Sequence, residues 1–247
     1  EKSEYYDALQ KCFESFAKIM LSDTSSIKLT DKNSGLGDGI TGMISALLHI
    51  HELTALPEFK ESAVRLINRI SVSEQSYNAD YLNGIGALPV ILKRHRIPES
   101  DKICSGFYKE ILNSKPFTTG FAHGATGLAL SLSALSSLGL PVTDDAITTL
   151  ISWENSYFTT ENGNWQDLRN FPEIGFMSGW CSGAPGIGMA RKEMLGLITD
   201  ENLRLLCEKD ISLSAKFIAT ETPSKRDSLC CGTASRLMAA SRLGIRI

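Results

Sequence analysis

The sequence predicts an all-α protein in which an inner and an outer ring of helices form an α/α toroid. Three observations lead there: a glycine-containing pattern that returns five times, a short apolar helix-like stretch after each copy, and amphipathic stretches between the copies. The copies are Gly39-Ile40-Thr41-Gly42, Gly84-Ile85-Gly86-Ala87, Gly124-Ala125-Thr126-Gly127, Gly183-Ala184-Pro185-Gly186 and Gly232-Thr233-Ala234-Ser235. Their leading glycines stand 45, 40, 59 and 49 residues apart, a period suited to a helical hairpin with loops of variable length.

The stretches that follow, at 45–53, 88–95, 128–138, 187–197 and 236–243, are rich in Ala, Leu, Ile and Met and apolar nearly all round. Helices of that kind are buried on most faces and belong to the inner ring. The intervening segments have one apolar stripe: 58–70 places Phe59, Ala63, Leu66, Ile67 and Ile70 on one side, and 143–153 and 201–220 do the same. These form the outer ring. Upstream, Tyr5, Leu9, Cys12, Phe13, Phe16, Ile19 and Met20 keep helical spacing from the first residues, which suggests a piece of a larger protein. Strands are not expected, since no alternation is sustained and no Asn-Gly turn joins two alternating runs.

Composition narrows the function. A chain of 247 residues with 43% hydrophobic content can bury one large core or two modest ones, as a soluble globular protein. The formal charge of −3, with Lys and Arg scattered, argues against nucleic acid or an anionic membrane as partner. The longest apolar run, 127–135, is broken by serines and falls well short of the roughly 20 residues of a membrane span. Six cysteines (12, 104, 181, 207, 230 and 231) are too few for a disulfide scaffold, and no signal-peptide pattern is present, so a reducing cytoplasm is expected.

The chemistry concentrates at the glycine turns. Cys230-Cys231 stands directly before Gly232, and 49 residues earlier Cys181 sits in Trp180-Cys181-Ser182-Gly183. Three thiolates able to meet at one point suggest zinc. Three protein ligands with the fourth position left to water or substrate define the catalytic kind of site. The plain alternative is that these cysteines are small buried hydrophobes. His123, directly before Gly124, lies at a turn, where an imidazole suits proton transfer or metal ligation. Asp80, four residues before Gly84, can reach the same end of the toroid or can simply cap a turn, and Asp38 shares that ambiguity. Trp180 offers an apolar wall to the site, although packing is its default role. His49, His51 and His95 read as structural.

Taken together, 34–42, 80–84, Gly120-Phe121-Ala122-His123-Gly124, Trp180-Cys181-Ser182-Gly183 and Leu229-Cys230-Cys231-Gly232 resemble the lanthionine cyclases. The likeness runs in order through essentially the whole chain and is greatest to the cyclase domain of bifunctional class II lanthipeptide synthetases. It implies a seven-fold α/α toroid with one zinc ion held by Cys181, Cys230 and Cys231, an acid/base histidine at His123 and a motif aspartate at Asp80. It also implies addition of a peptide cysteine thiol to dehydroalanine or dehydrobutyrine, giving lanthionine or methyllanthionine. The partners would be a dehydrated precursor peptide with its leader and a dehydratase region in the parent chain.

Several positions depart from the family pattern. Cys231 stands where most relatives have His, as in a three-cysteine branch. The added thiolate would donate more charge to zinc and leave a bound substrate sulfur more nucleophilic, and the resemblance implies relaxed substrate choice. Ser182 follows Cys181 where relatives often have His or Tyr, and Ala87 and Ser235 replace the second glycine of their copies. Residues 1–247 are thus expected to be a single cyclase domain with five repeats, lacking a first and a last repeat and any dehydratase region. Other readings remain: a glutathione-binding regulatory member of the fold, an α/α-barrel hydrolase, which would need two carboxylates about 5 to 10 Å apart, and a non-enzymatic helical scaffold.

Overall fold

Four of the five inner helices begin directly after a leading glycine, and in the second repeat a 3-10 turn does. In the computed structural model, which describes residues 30–71, 76–222 and 227–246 together with residue 15, the ten helices among the described residues are α1 (Ile40–Thr54), α2 (Pro57–Ser71), α3 (Leu88–Arg94), α4 (Ser100–Ser105), α5 (Tyr108–Leu112), α6 (Ala125–Ser137), α7 (Asp144–Asn155), α8 (Ala184–Met194), α9 (Glu201–Thr220) and α10 (Thr233–Leu243). The helix expected over 5–20 falls outside the described residues apart from residue 15.

Within the inner layer α3 packs on α6, α6 on α8 and α8 on α10, while α2, α7 and α9 pair as outer helices with α1, α6 and α8. The α/α toroid expected from the repeats is the fold. Four of the inner helices start three to five residues earlier than apolar periodicity placed them, because the Gly-x-x-Gly segment is the first helical turn and not a loop before it. The second repeat differs most. A 3-10 turn, Ile85–Ala87, precedes α3, and the outer layer there is the broken pair α4 and α5.

Capping chemistry sets the outer helices. Thr143 accepts from the Ala146 N–H at the start of α7, and Asp200 accepts from the Leu203 N–H at 2.8 Å at the start of α9. Acidic residues follow in both first turns, Asp144 and Asp145 in α7 and Glu201 in α9, where the helix dipole favours them. The inner helices have no such side-chain caps, because their starts are packed backbone to backbone. At Gly186, a Cβ would run into the carbonyl oxygen of Trp180. Ser235 takes the matching place in the last copy, where its hydroxyl accepts from the Trp180 N–H at 2.6 Å.

These close approaches put the turns in register. The Gly37 N–H donates to Leu82 O (2.9 Å), Leu82 N–H to Ala122 O (3.1 Å) and Ala122 N–H to Cys181 O (2.9 Å), so residues two places before successive leading glycines form a backbone relay at one end of the molecule.

A small sheet was not expected. β1 (Phe158–Thr159), β2 (Asn164–Asp167) and β3 (Gly175–Phe176) pair antiparallel in that order, with Phe158 opposite Trp165 and Gln166 opposite Phe176. Strands of two to four residues are too short to set up an alternating pattern. The signal that was present is Asn162-Gly163 between β1 and β2, with Gly163 at a φ of 59°. The sheet shields a satellite core of Trp165, Ala184, Ile187, Phe217, Ile218, Ala239 and Ala240, separate from the main core that α1 to α9 share.

One buried polar network ties the layers together. Arg191 on α8, with no exposure, reaches Glu154 on α7 at 2.6 Å and Asp210 on α9 at 2.9 Å, and both carboxylates are equally buried. Glu154 also accepts from the Gly120 N–H (2.7 Å) and the Thr126 hydroxyl (2.5 Å), and Asp210 from the Asn155 amide. No helix among the described residues is long and apolar enough to cross a membrane.

Candidate metal centre

Three cysteines converge where the turns of the fourth and fifth repeats meet. Cys181 lies two residues before Gly183, and Cys230 holds the same place before Gly232, so the repeat itself brings their backbones side by side. The Cys181 carbonyl accepts from both Phe121 N–H (3.1 Å) and Ala122 N–H (2.9 Å), which anchors that strand of the turn. Gly179 has no side chain to hold off the Cys230 carbonyl, which its Cβ would strike. The Cys231 N–H is held by the Ser228 hydroxyl at 3.2 Å.

The sulfurs of Cys181 and Cys231 are 3.3 Å apart, those of Cys231 and Cys230 3.2 Å, and all three lie within 4.8 Å of one another as free thiols. Zinc–sulfur bonds of about 2.3 Å in a tetrahedron separate sulfurs by about 3.8 Å, so the two closer pairs would open by about half an ångström to hold one ion. Burial, then the neighbouring sulfurs, pushes the Cys181 thiol well above its ordinary range, and burial also raises Cys230. Three adjacent thiolates need a cation to offset their charge.

Arg169 is the residue that sequence reading missed. It follows β2, a third exposed, within electrostatic reach of Cys181 and Cys231. Asp167 grips it through Nε at 2.9 Å and Nη2 at 2.5 Å. Although burial pushes the Asp167 carboxyl up, Arg169 holds it below the ordinary carboxylate value. Its only sequence signal was the Asp-x-Arg spacing, which is not distinctive.

His123 and Asp80 meet as a separate pair. The His123 Nδ1 lies 2.9 Å from one Asp80 oxygen and 3.1 Å from the other. A carboxylate can only accept, so Nδ1 donates and Nε2 keeps the lone pair. Asp80 also accepts from the Leu82 N–H (2.9 Å) and Asn83 N–H (2.7 Å), so one carboxylate both caps its turn and meets the histidine. The pair lines a cavity of about 220 Å³ together with Tyr81, Lys115, Pro116 and Phe117. The relay from Ala122 to Cys181 joins it through the backbone to the cysteines.

Other expected residues take lesser places. Trp180 meets the Phe121 ring edge-on at 5.7 Å, as an apolar wall beside the cysteine turn. Ser182 is buried, with its hydroxyl against Gly120, and Asp38 is exposed.

An α/α toroid with a three-thiol cluster at its turn end defines a helical-repeat protein with a donor set able to hold a metal ion. The comparisons carry this to a family. The model of the lanthionine synthetase C-like proteins matches residues 1–244, and the chain belongs to that family. Among solved structures, nisin cyclase is similar in fold, with a TM-score of 0.70 and 14% identity over 95% of this chain and 70% of that one. No curated protein sequence matches.

Proposed function

We propose that this protein is a lanthionine cyclase with a three-cysteine zinc centre, acting on a dehydrated precursor peptide with its leader. The observation that carries the reading is the convergence of three free sulfurs beside the turn that bears the His123–Asp80 pair. Family membership and likeness to nisin cyclase support it. The motif order favours the cyclase domain of a class II synthetase, with a dehydratase region elsewhere in the parent chain and a cytoplasmic location.

Cys181, Cys230 and Cys231 would hold the zinc, which when bound lowers the pKa of a substrate thiol so that a thiolate forms near neutral pH. The chain's own groups do the rest. Addition of sulfur across the dehydroamino acid double bond forms one carbon–sulfur bond and leaves an enolate that needs a proton at the α-carbon. His123 carries the proton: Asp80 fixes its ring by accepting from Nδ1 and stabilises the imidazolium that forms when the Nε2 lone pair takes up the proton released by the substrate thiol, and Nε2 then delivers that proton to the α-carbon. Trp180 and Phe121 keep apolar surface beside the cysteine turn, which excludes water.

Cyclisation is an isomerisation, so the product has the mass of the substrate but fewer alkylatable thiols. Zinc content by elemental analysis, with thiol alkylation of a dehydrated cysteine-containing precursor, tests the reading. One zinc per wild-type chain that is lost in Cys181→Ala, together with thiol disappearance that slows about 100-fold or more in zinc-loaded His123→Ala, is expected. A folded, zinc-loaded wild type that leaves every peptide thiol free overturns the assignment of cyclase activity.

A further inference from the structure

We propose that His49, Glu52 and His95 form a second metal site, for zinc or another divalent transition ion, at the end of the toroid opposite the cysteines. One donor atom of each lies within 4.8 Å of the others. His49 and Glu52 sit a turn apart on α1, and His95 ends α3 as its C-cap. His49 is ten residues along from Gly39, about 15 Å down the helix, so one ion cannot serve both clusters.

The hydrogen bonds prepare both imidazoles to ligate. The His49 Nδ1 lies 2.8 Å from the Ser45 carbonyl, and the His95 Nδ1 lies 2.8 Å from a Glu52 carboxylate oxygen. The Ser45 carbonyl cannot donate, so the His49 Nδ1 carries the proton and its Nε2 a lone pair, the way carbonyls hold metal-ligating histidines. The His95 Nδ1 and the Glu52 oxygen already stand side by side, and an ion would take the place of the proton between them. The His95 side chain is only 3% exposed, so its ring is held in place. The two rings stand edge to face with centroids 4.9 Å apart.

Access and architecture agree. His49 is exposed and the Glu52 side chain is 54% exposed, so these two can close the roughly 1 Å that bonds of about 2.0 to 2.1 Å require, while His95 stays fixed. The relay from Gly37 to Leu82 joins the first two repeats at the turn end, and α1 and α3 pack sparsely on each other. An ion at the far end would clip these two inner helices together.

Uptake of zinc, and separately of cobalt(II), by the full chain tests the proposal. The comparison is among wild type, His49→Gln, Glu52→Gln and Cys181→Ala, by elemental analysis after equilibration with excess ion and removal of the unbound metal. Two ions per wild-type chain are expected. One should be lost in His49→Gln, bound at least tenfold more weakly in Glu52→Gln and kept in Cys181→Ala. Cobalt should keep its sulfur charge-transfer absorption in His49→Gln and lose it in Cys181→Ala. Both histidine-site substitutions are at exposed positions and leave the core intact. Equal metal content in wild type, His49→Gln and Glu52→Gln would overturn the proposal. An ion that Cys181→Ala keeps and His49→Gln loses would support it even if the zinc reading of the cysteines failed.

Discussion

Arg169 shows how much one unremarked side chain can matter to a thiolate centre. With the proposed zinc bound, the three thiolates would leave a net charge of −1, which the guanidinium beside Cys181 and Cys231 would offset. Asp167 fixes the direction of that charge through two hydrogen bonds from Arg169. Arg169→Met, which keeps the length and loses the charge, is therefore expected to weaken zinc binding by about tenfold, as the loss of outer partners commonly does. Competition with a chelator measures this. Unchanged affinity would mean that the cysteines need no outside charge. In the sequence Arg169 reads as one more loop cation, because only the fold brings β2 up to the cysteine turns. His49 and His95 were read as structural for a similar reason: they are 46 residues apart and meet only because successive inner helices run side by side.

At the scale of single elements, the starts of the inner helices are the most sensitive places. Gly186 is in the first turn of α8, pressed on the carbonyl of Trp180, the neighbour of Cys181. Gly186→Ala must push that turn away, at a cost of about 3 kcal/mol, comparable to overpacking a core. Gly175, with nothing near the place of its Cβ, is the control, and Gly175→Ala should change stability by less than about 0.5 kcal/mol. Denaturant titrations of the two variants compare them directly, and equal stability would refute the close-approach account. The same crowding explains which parts of the repeat were readable. Glycine spacing and apolar runs are local signals, so all five inner helices were legible. The two-residue strands and the broken α4–α5 pair carry no periodicity long enough to register.

The whole molecule hangs on the Arg191 network, which crosses from outer helix to inner helix to outer helix and ends on the turn before His123. Removing one partner of a buried ion pair leaves an uncompensated charge, so Glu154→Ala is expected to cost about 3 to 5 kcal/mol. In a chain of this size that is a fall in Tm of about 10 °C. Because Glu154 also holds the Gly120 N–H, and the next two residues hold the Cys181 carbonyl, the same change should weaken zinc binding although no ligand is touched. Calorimetry with chelator competition reads both effects. A drop in Tm with intact zinc affinity would show that the turns are positioned without the network.

By itself, the sequence determined the repeat, the helical class, the two layers and the three cysteines that carry the likeness to the cyclases. These depend on neighbouring residues: spacing along a helix, glycine at a crowded turn, a pair of adjacent thiols. Tertiary structure alone decided that Cys181 meets Cys230 and Cys231, that Asp80 turns to His123, that Arg169 faces the sulfurs and that Arg191 is buried between two carboxylates. Those pairings span 19 to 50 residues or hang on where a short sheet folds back, and they are set by how closely each repeat packs on the next, a distance that no local pattern records.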